Sequence, residues 1–185
     1  MIKISVSNHL KQPSKRDCAL YAMANAILNN NVIKCKHMIY PDGGSDSGQM
    51  IEIAKKHGLQ LQPIYYSINT KYTLVDSDLF YSWDMFKNLN TMEKQSVIPM
   101  LAGKVGPNCE HMFCINYYPG YNAFSIVDSC MNNVLVTDHL DQILKEYDIY
   151  ELWVVLDQEG KGQFIINMDY ENHCTDTLRY LASNN

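Results

Sequence analysis

Gln12-Pro-Ser-Lys-Arg-Asp17-Cys18-Ala-Leu-Tyr-Ala-Met-Ala-Asn-Ala-Ile27-Leu28 is the stretch from which the rest of the chain can be read. The alanines, leucine and methionine after Cys18 predict a helix over residues 17–29. Asp17 is a plausible N-cap, and Asn29-Asn30-Asn31 ends the helix. Leu20, Ala24, Ile27 and Leu28 share a face and should enter the core. Cys18 then stands in the positive field of a helix N-terminus, which favours the thiolate, the nucleophilic form of cysteine. Six positions earlier, Gln12 carries an amide N–H suited to an oxyanion forming beside that sulfur.

The chain has 185 residues, 46% of them hydrophobic, enough for one domain with a substantial core. A net charge of −5 and no long basic run argue against nucleic acid or an anionic membrane as partner. A peptide or protein substrate is compatible with both. No apolar run approaches the roughly 18 residues of a membrane helix. Met1-Ile-Lys-Ile-Ser-Val-Ser-Asn-His lacks a secretory apolar region, so the expected location is the cytoplasm, or outside the cell by a route needing no N-terminal signal. The cysteines at 18, 35, 109, 114, 130 and 174 are accordingly expected to be mostly reduced.

Periodicity predicts a strand at 2–6, a helix from Gln49 to His57 closed by Gly58, and an extended run over 59–68 broken at Pro63. A helix over 82–90 and a strand over 96–102, irregular at Pro99, follow. Residues 103–108 read as a loop. Residues 111–118 and 123–128 read as the strands of a hairpin about Pro119-Gly-Tyr-Asn122. Further strands are expected at 134–136, 150–156 and 163–168. Helices are expected at 138–147, with Asp138 near its start, and at 174–182. Helices gather in the first half and strands in the second, an α+β pattern.

A thiol nucleophile needs a base and a group to orient that base. His111 opens a strand beside a glycine-bearing loop, where side chains reach clefts. The hairpin supplies the orienter. A turn centred on Pro119-Gly120 pairs His111 with Asp128. A longer turn, Pro119 to Asn122, pairs His111 with Cys130 and leaves Asp128 diagonal, still within reach. The candidate set is therefore Cys18, His111, Asp128 and Gln12, with no cofactor and no metal. His9 is a further candidate for lining the site. Tyr65, Tyr66, Tyr117, Tyr118 and Tyr121 are candidates for the floor of a peptide groove, and Trp153 reads as core.

This order of motifs resembles the papain-like cysteine peptidases, most closely the double-glycine-leader peptidases that process bacteriocin precursors and their free-standing relatives. Gln12-x5-Cys18 with Asp17, His111-Met-Phe-Cys-Ile and Val127-Asp128 match that pattern over about residues 10–156. Ala19 stands where the family usually has glycine, and Ser129 where it commonly has proline. The resemblance implies a papain-like fold, with a helical N-terminal part on a C-terminal antiparallel sheet. Residues 1–156 would form the catalytic domain and 157–185 an extension packed on it. It also implies a Cys-His-Asp triad acting through a thioester, with Gln12 and the Cys18 N–H stabilising the oxyanion. Three other readings compete. One is a deamidase or acyltransferase of the same fold. Another is a peptide-binding module without turnover. The third is a metal site at Cys109-x-His111-x2-Cys114 with Cys130, whose spacing fits no usual zinc pattern.

Overall fold

A computed structural model describes residues 1–4, 9–66, 96–105, 110–160, 164–165 and 173–184. Eight strands form one antiparallel sheet: β1 (Ile2–Ile4), β2 (Gln60–Tyr66), β3 (Ser96–Val105), β4 (Glu110–Tyr118), β5 (Ala123–Val127), β6 (Val134–Thr137), β7 (Ile149–Leu156) and β8 (Phe164–Ile165). Their order is β1-β6-β5-β4-β3-β7-β2, with β8 pairing the start of β3. Among the described residues the helices are α1 (Cys18–Ile27), α2 (Ser47–Lys56), α3 (Leu140–Glu146) and α4 (His173–Ser183). The α+β class expected from the sequence is the class observed.

The strand alternation divides the sheet into two faces. Val97 and Leu101 of β3 and Cys114 and Tyr118 of β4 pack with α1 in one apolar cluster. Ile98, Met100 and Ala102 of β3 and Phe113, Ile115 and Tyr117 of β4 pack with Ile143 of α3 in the other. Helix α1 is buried nearly all round, because the 3-10 stretch Asn30–Met38 covers the side turned away from the sheet. Leu20, Ala22, Met23 and Ala24 are almost wholly enclosed. Each large side chain of this kind stabilises the fold by about 1.5–3 kcal/mol relative to exposure.

Several expectations change. Strand β3 continues through Gly103-Lys104-Val105, which had read as a loop; the pairing Lys104↔His111 holds it to β4. Pro99 does not disturb the register with β4. It falls between the β8 partners Ser96 and Val97 and the first β7 partner, Met100, so its missing N–H removes no ladder bond there. Asp17 holds the N-cap position of α1 as expected but makes no side-chain cap bond; its buried carboxylate pairs with Lys36 at 2.8 Å. Asp138 does not cap α3 either, since His139 holds that position and its N–H donates to Thr137 Oγ1. The expected helix at 82–90 lies outside the described residues.

Helix α2 begins two residues before the expected Gln49, because Asp46 and Gln49 form a reciprocal capping box. Gln49 N–H donates to Asp46 Oδ1 at 2.8 Å, Asp46 N–H donates to Gln49 Oε1 at 3.1 Å, and Tyr40 Oη donates to Asp46 Oδ2 at 2.6 Å. Asp46→Ala removes the two bonds to the carboxylate and leaves the one from the backbone N–H to Gln49, and calorimetry should show Tm lowered by about 2–4 °C.

Candidate active site

Cys18 is the first residue of α1, and α1 packs against β4 so that the sulfur meets the beginning of that strand. Cys18 is 8% exposed. Its sulfur faces His111 and the backbone N–H groups of Met112 and Ala19, the groups that act on its titration. Burial pushes the thiol pKa up. The His111 hydrogen bond, the two N–H donors and the imidazolium charge outweigh it, and the net shift is downward.

The hairpin adopts the longer of the two turns: Tyr118 pairs with Ala123, and the ladder ends at Cys114↔Val127. His111 and Asp128 thus lie just past the last rung, diagonal to one another. His111 Nε2–H donates to Asp128 Oδ1 at 2.9 Å. That leaves Nδ1 as the ring nitrogen for Cys18. Burial works against the imidazolium, but bonds to Asp128 and Cys18 prevail and raise the His111 pKa to about 9. Asp128 is buried. Burial alone would raise its pKa; the His111 bond and charge, the Cys130 N–H and Lys104 pull it below the usual carboxylate value. Cys130 N–H donates to Asp128 Oδ1 at 2.9 Å, and Lys104 Nζ stands 3.9 Å from Oδ2.

A second layer holds these groups. His111 stacks on Phe113 with ring centroids 6.1 Å apart. Lys104 Nζ lies over the rings of Phe113 and Tyr147 at 5.5 and 5.3 Å. Buried His9 donates from Nε2 to the backbone oxygens of Asp128 and Met131, at 3.0 and 2.9 Å. His9 therefore anchors the Asp128 turn from behind rather than lining the cleft. Asn25 of α1 fastens this N-terminal segment by accepting from Leu10 N–H and donating to Leu10 O.

Gln12 is tied to Ser129, the neighbour of Asp128, and is not among the described residues that line the cleft beside Cys18. Its N–H donates to Ser129 O at 3.2 Å, and its Oε1 accepts from Ser129 Oγ. Its Nε2 donates to Ser14 O at 2.8 Å. Donation to an oxyanion would exchange the Ser14 carbonyl for the new acceptor.

Of the tyrosines expected on a groove floor, none of those whose side chains are described, Tyr65, Tyr117, Tyr118 and Tyr121, lines the cleft. Tyr117 and Tyr118 are core residues, Tyr118 Oη bonding Ser125 Oγ at 3.2 Å, and the side chain of Tyr66 lies outside the described set. Trp153, expected as core, packs against the α1-side cluster and also lines the cleft. That cleft has a volume of about 570 Å³ and is bounded by Cys18, His111, Met112, Ser45, Trp153 and Glu151, among others. The sequence reading missed Glu151, Lys104 and the supporting role of His9. For Lys104 the signal was available: once β3 is extended past Gly103, Lys104 falls opposite His111.

Cys18, Cys35, Cys114 and Cys130 are free thiols; Cys109 and the side chain of Cys174 lie outside the described residues. The metal reading through Cys114 fails on geometry, because Cys114 is buried in the α1-side cluster while His111 stacks on Phe113 of the opposite one. His111, Asp128 and Cys130 do bring one potential ligand atom each within 4.8 Å of the others. A metal there would have to replace the His111–Asp128 hydrogen bond beside the positive charge of Lys104. Among the described residues no helix is long and apolar enough to cross a membrane. Neither a protein-family model nor a curated protein sequence matches this chain.

Proposed function

We propose that this protein is a papain-like cysteine peptidase. The observation that carries the reading is that Cys18 and His111 line one cleft large enough for a peptide, each shifting the other's titration, while Asp128 holds the imidazole at 2.9 Å. A helix presenting cysteine at its N-terminus, set against adjacent strands that end in histidine and aspartate, supports the papain-like assignment.

In this mechanism the Cys18 thiolate attacks the substrate carbonyl carbon. A C–S bond forms, and the carbonyl π electrons move to oxygen. Backbone N–H groups at the start of α1, with Gln12, are the donors available to that oxyanion. Imidazolium His111 gives its proton to the departing nitrogen as the C–N bond breaks, leaving a thioester and neutral imidazole. The same imidazole then takes a proton from water. The hydroxide adds to the thioester, the C–S bond breaks, and the carboxylic acid and the thiolate–imidazolium pair are recovered. Asp128 keeps the ring oriented and stabilises its charge throughout.

Incubation with a complex peptide pool, followed by mass spectrometry, tests the reaction type. Chain cleavage that Cys18→Ser does not produce is the expected result. Deamidation or acyl transfer without cleavage would replace the peptidase reading by one of those chemistries.

Thiol reactivity tests the nucleophile without any substrate. Iodoacetamide at near-neutral pH should modify Cys18 first. Its pKa is lowered, Cys35 and Cys114 are buried, and burial together with the charges of Asp128 and Cys18 raises the exposed Cys130. Peptide mapping at short times would read the order. Equal, slow labelling of all the cysteines would overturn the catalytic assignment.

A further inference from the structure

We infer that Glu151 makes the cleft beside Cys18 selective for substrates carrying a cationic side chain, arginine or lysine, within two residues before the bond attacked. The inference rests on the peptidase reading and adds a substrate class to it.

Glu151 is 8% exposed yet lines the same cleft as the nucleophile. Its position follows from the sheet. Met112, Gly103 and Glu151 stand on one rung across β4, β3 and β7. Met112 lines the cleft together with Cys18. Gly103 has no side chain, and a Cβ built there would meet Glu151 Cγ and Oε1 at 2.6 Å. Glu151 therefore lies across the bare glycine, in the direction of the strand that bears His111.

The carboxylate is held in that pose. Trp153 Nε1–H donates to Oε2 at 2.9 Å, and the single O–H of Tyr150 is shared between Glu151 and Glu110. Both donors are neutral, and among the described residues no lysine or arginine forms an ion pair with Glu151. A buried carboxylate without a cation is costly. The cost registers as a pKa raised by burial and by the charge of Glu110, only partly offset by the Trp153 and Tyr150 hydrogen bonds. An incoming cation removes that cost.

The rest of the wall agrees. Asp46 and Glu110 also line the cleft, whereas none of its described lining residues is lysine or arginine. Ser45, which also lines the cleft, has a buried Oγ with no hydrogen-bond partner among the described residues, a polar atom left for something that enters. An anionic substrate would meet three carboxylates, and a neutral one would leave Glu151 uncompensated.

Dipeptidyl acyloxymethyl ketones carrying arginine, its neutral isostere citrulline, or glutamate at either of the two residues before the electrophile would test this. The measurement is the second-order rate of Cys18 modification, followed by intact-protein mass spectrometry, with iodoacetamide as an uncharged control. At the better position arginine should exceed citrulline by about tenfold or more, the usual worth of a charged hydrogen bond, with glutamate slowest. In Glu151→Gln the arginine-to-citrulline ratio should fall to near one.

Equal rates for arginine and citrulline in the native protein would overturn the inference without recourse to any variant. So would a preference that survives in Glu151→Gln. If iodoacetamide still labels Cys18 rapidly in either case, the peptidase reading stands and only the selectivity falls. If Cys18 reacts slowly with iodoacetamide and with every probe, the peptidase reading falls and takes this inference with it.

Discussion

Cys18→Ala will lower kcat on any peptide the native protein cleaves by about 10⁴-fold or more, because no other group near His111 can form the thioester. Cys130 is the nearest competitor. Its thiol pKa is raised, and its backbone N–H already serves Asp128. His111→Ala should cost a comparable factor. The double variant should be little worse than either single one, since a nucleophile and its base act as a unit. The fold should tolerate Cys18→Ala well. The side chain is small, and the change removes a charge that burial disfavours. Turnover lost with Tm nearly unchanged is the expected pattern. Residual turnover within tenfold of native would show that the chemistry resides elsewhere.

How legible this site was in the sequence depends on how local each signal is. Cys18 could be read because an alanine-rich run fixes where a helix begins, and a helix N-terminus has an electrostatic sign. His111 and Asp128 could be read because hairpin pairing is arithmetic. Two turn lengths gave two registers, and the longer was adopted, with Asn122 in the left-handed conformation that closes the turn. Both registers brought a carboxylate to the imidazole, so the pairing survived the ambiguity.

What failed to show depends on partners far apart in the chain. Glu151 sits in Tyr150-Glu-Leu-Trp-Val-Val-Leu156, where a carboxylate looks like the polar position of a strand. Only the pairing of β7 with β3, opposite Gly103, turns it toward the cleft. Asp17 is legible in part, since it does hold the N-cap position of α1. Its sequence position suits a helix cap, but Lys36 from the following 3-10 stretch claims the carboxylate. Tyr117 and Tyr118 looked suited to a groove, yet a strand at the centre of a sheet buries both of its faces. Tertiary burial overrides such residue-type preferences.

Asp128→Asn should have the next largest effect, a fall in kcat of about 10²–10⁴-fold, and its pH dependence separates an electrostatic role from a structural one. The His111 pKa is raised from 6.5 to about 9, so the stabilisation from its charged form is complete below 6.5 and is lost as pH rises through about 9. Cys18 is shifted the other way, so its thiolate persists until pH falls through the lowered value. The thiolate–imidazolium pair occupies the window between these limits, and kcat/KM for the native protein should fall on the alkaline side near pH 9. In Asp128→Asn the neutral amide can still accept from His111 Nε2–H, but it gives the imidazolium no compensating charge and turns an N–H toward Lys104 Nζ. The alkaline limb should therefore move to lower pH. The lowered Asp128 pKa adds a stability test with its own sign. Its contribution is present above the ordinary carboxyl value of 3.8 and is lost as pH falls through the folded value. The variant should accordingly melt below the native protein at neutral pH and converge with it in acid. A lower rate with the alkaline limb unmoved would assign Asp128 to holding the turn between β5 and β6 rather than to setting the charge of His111.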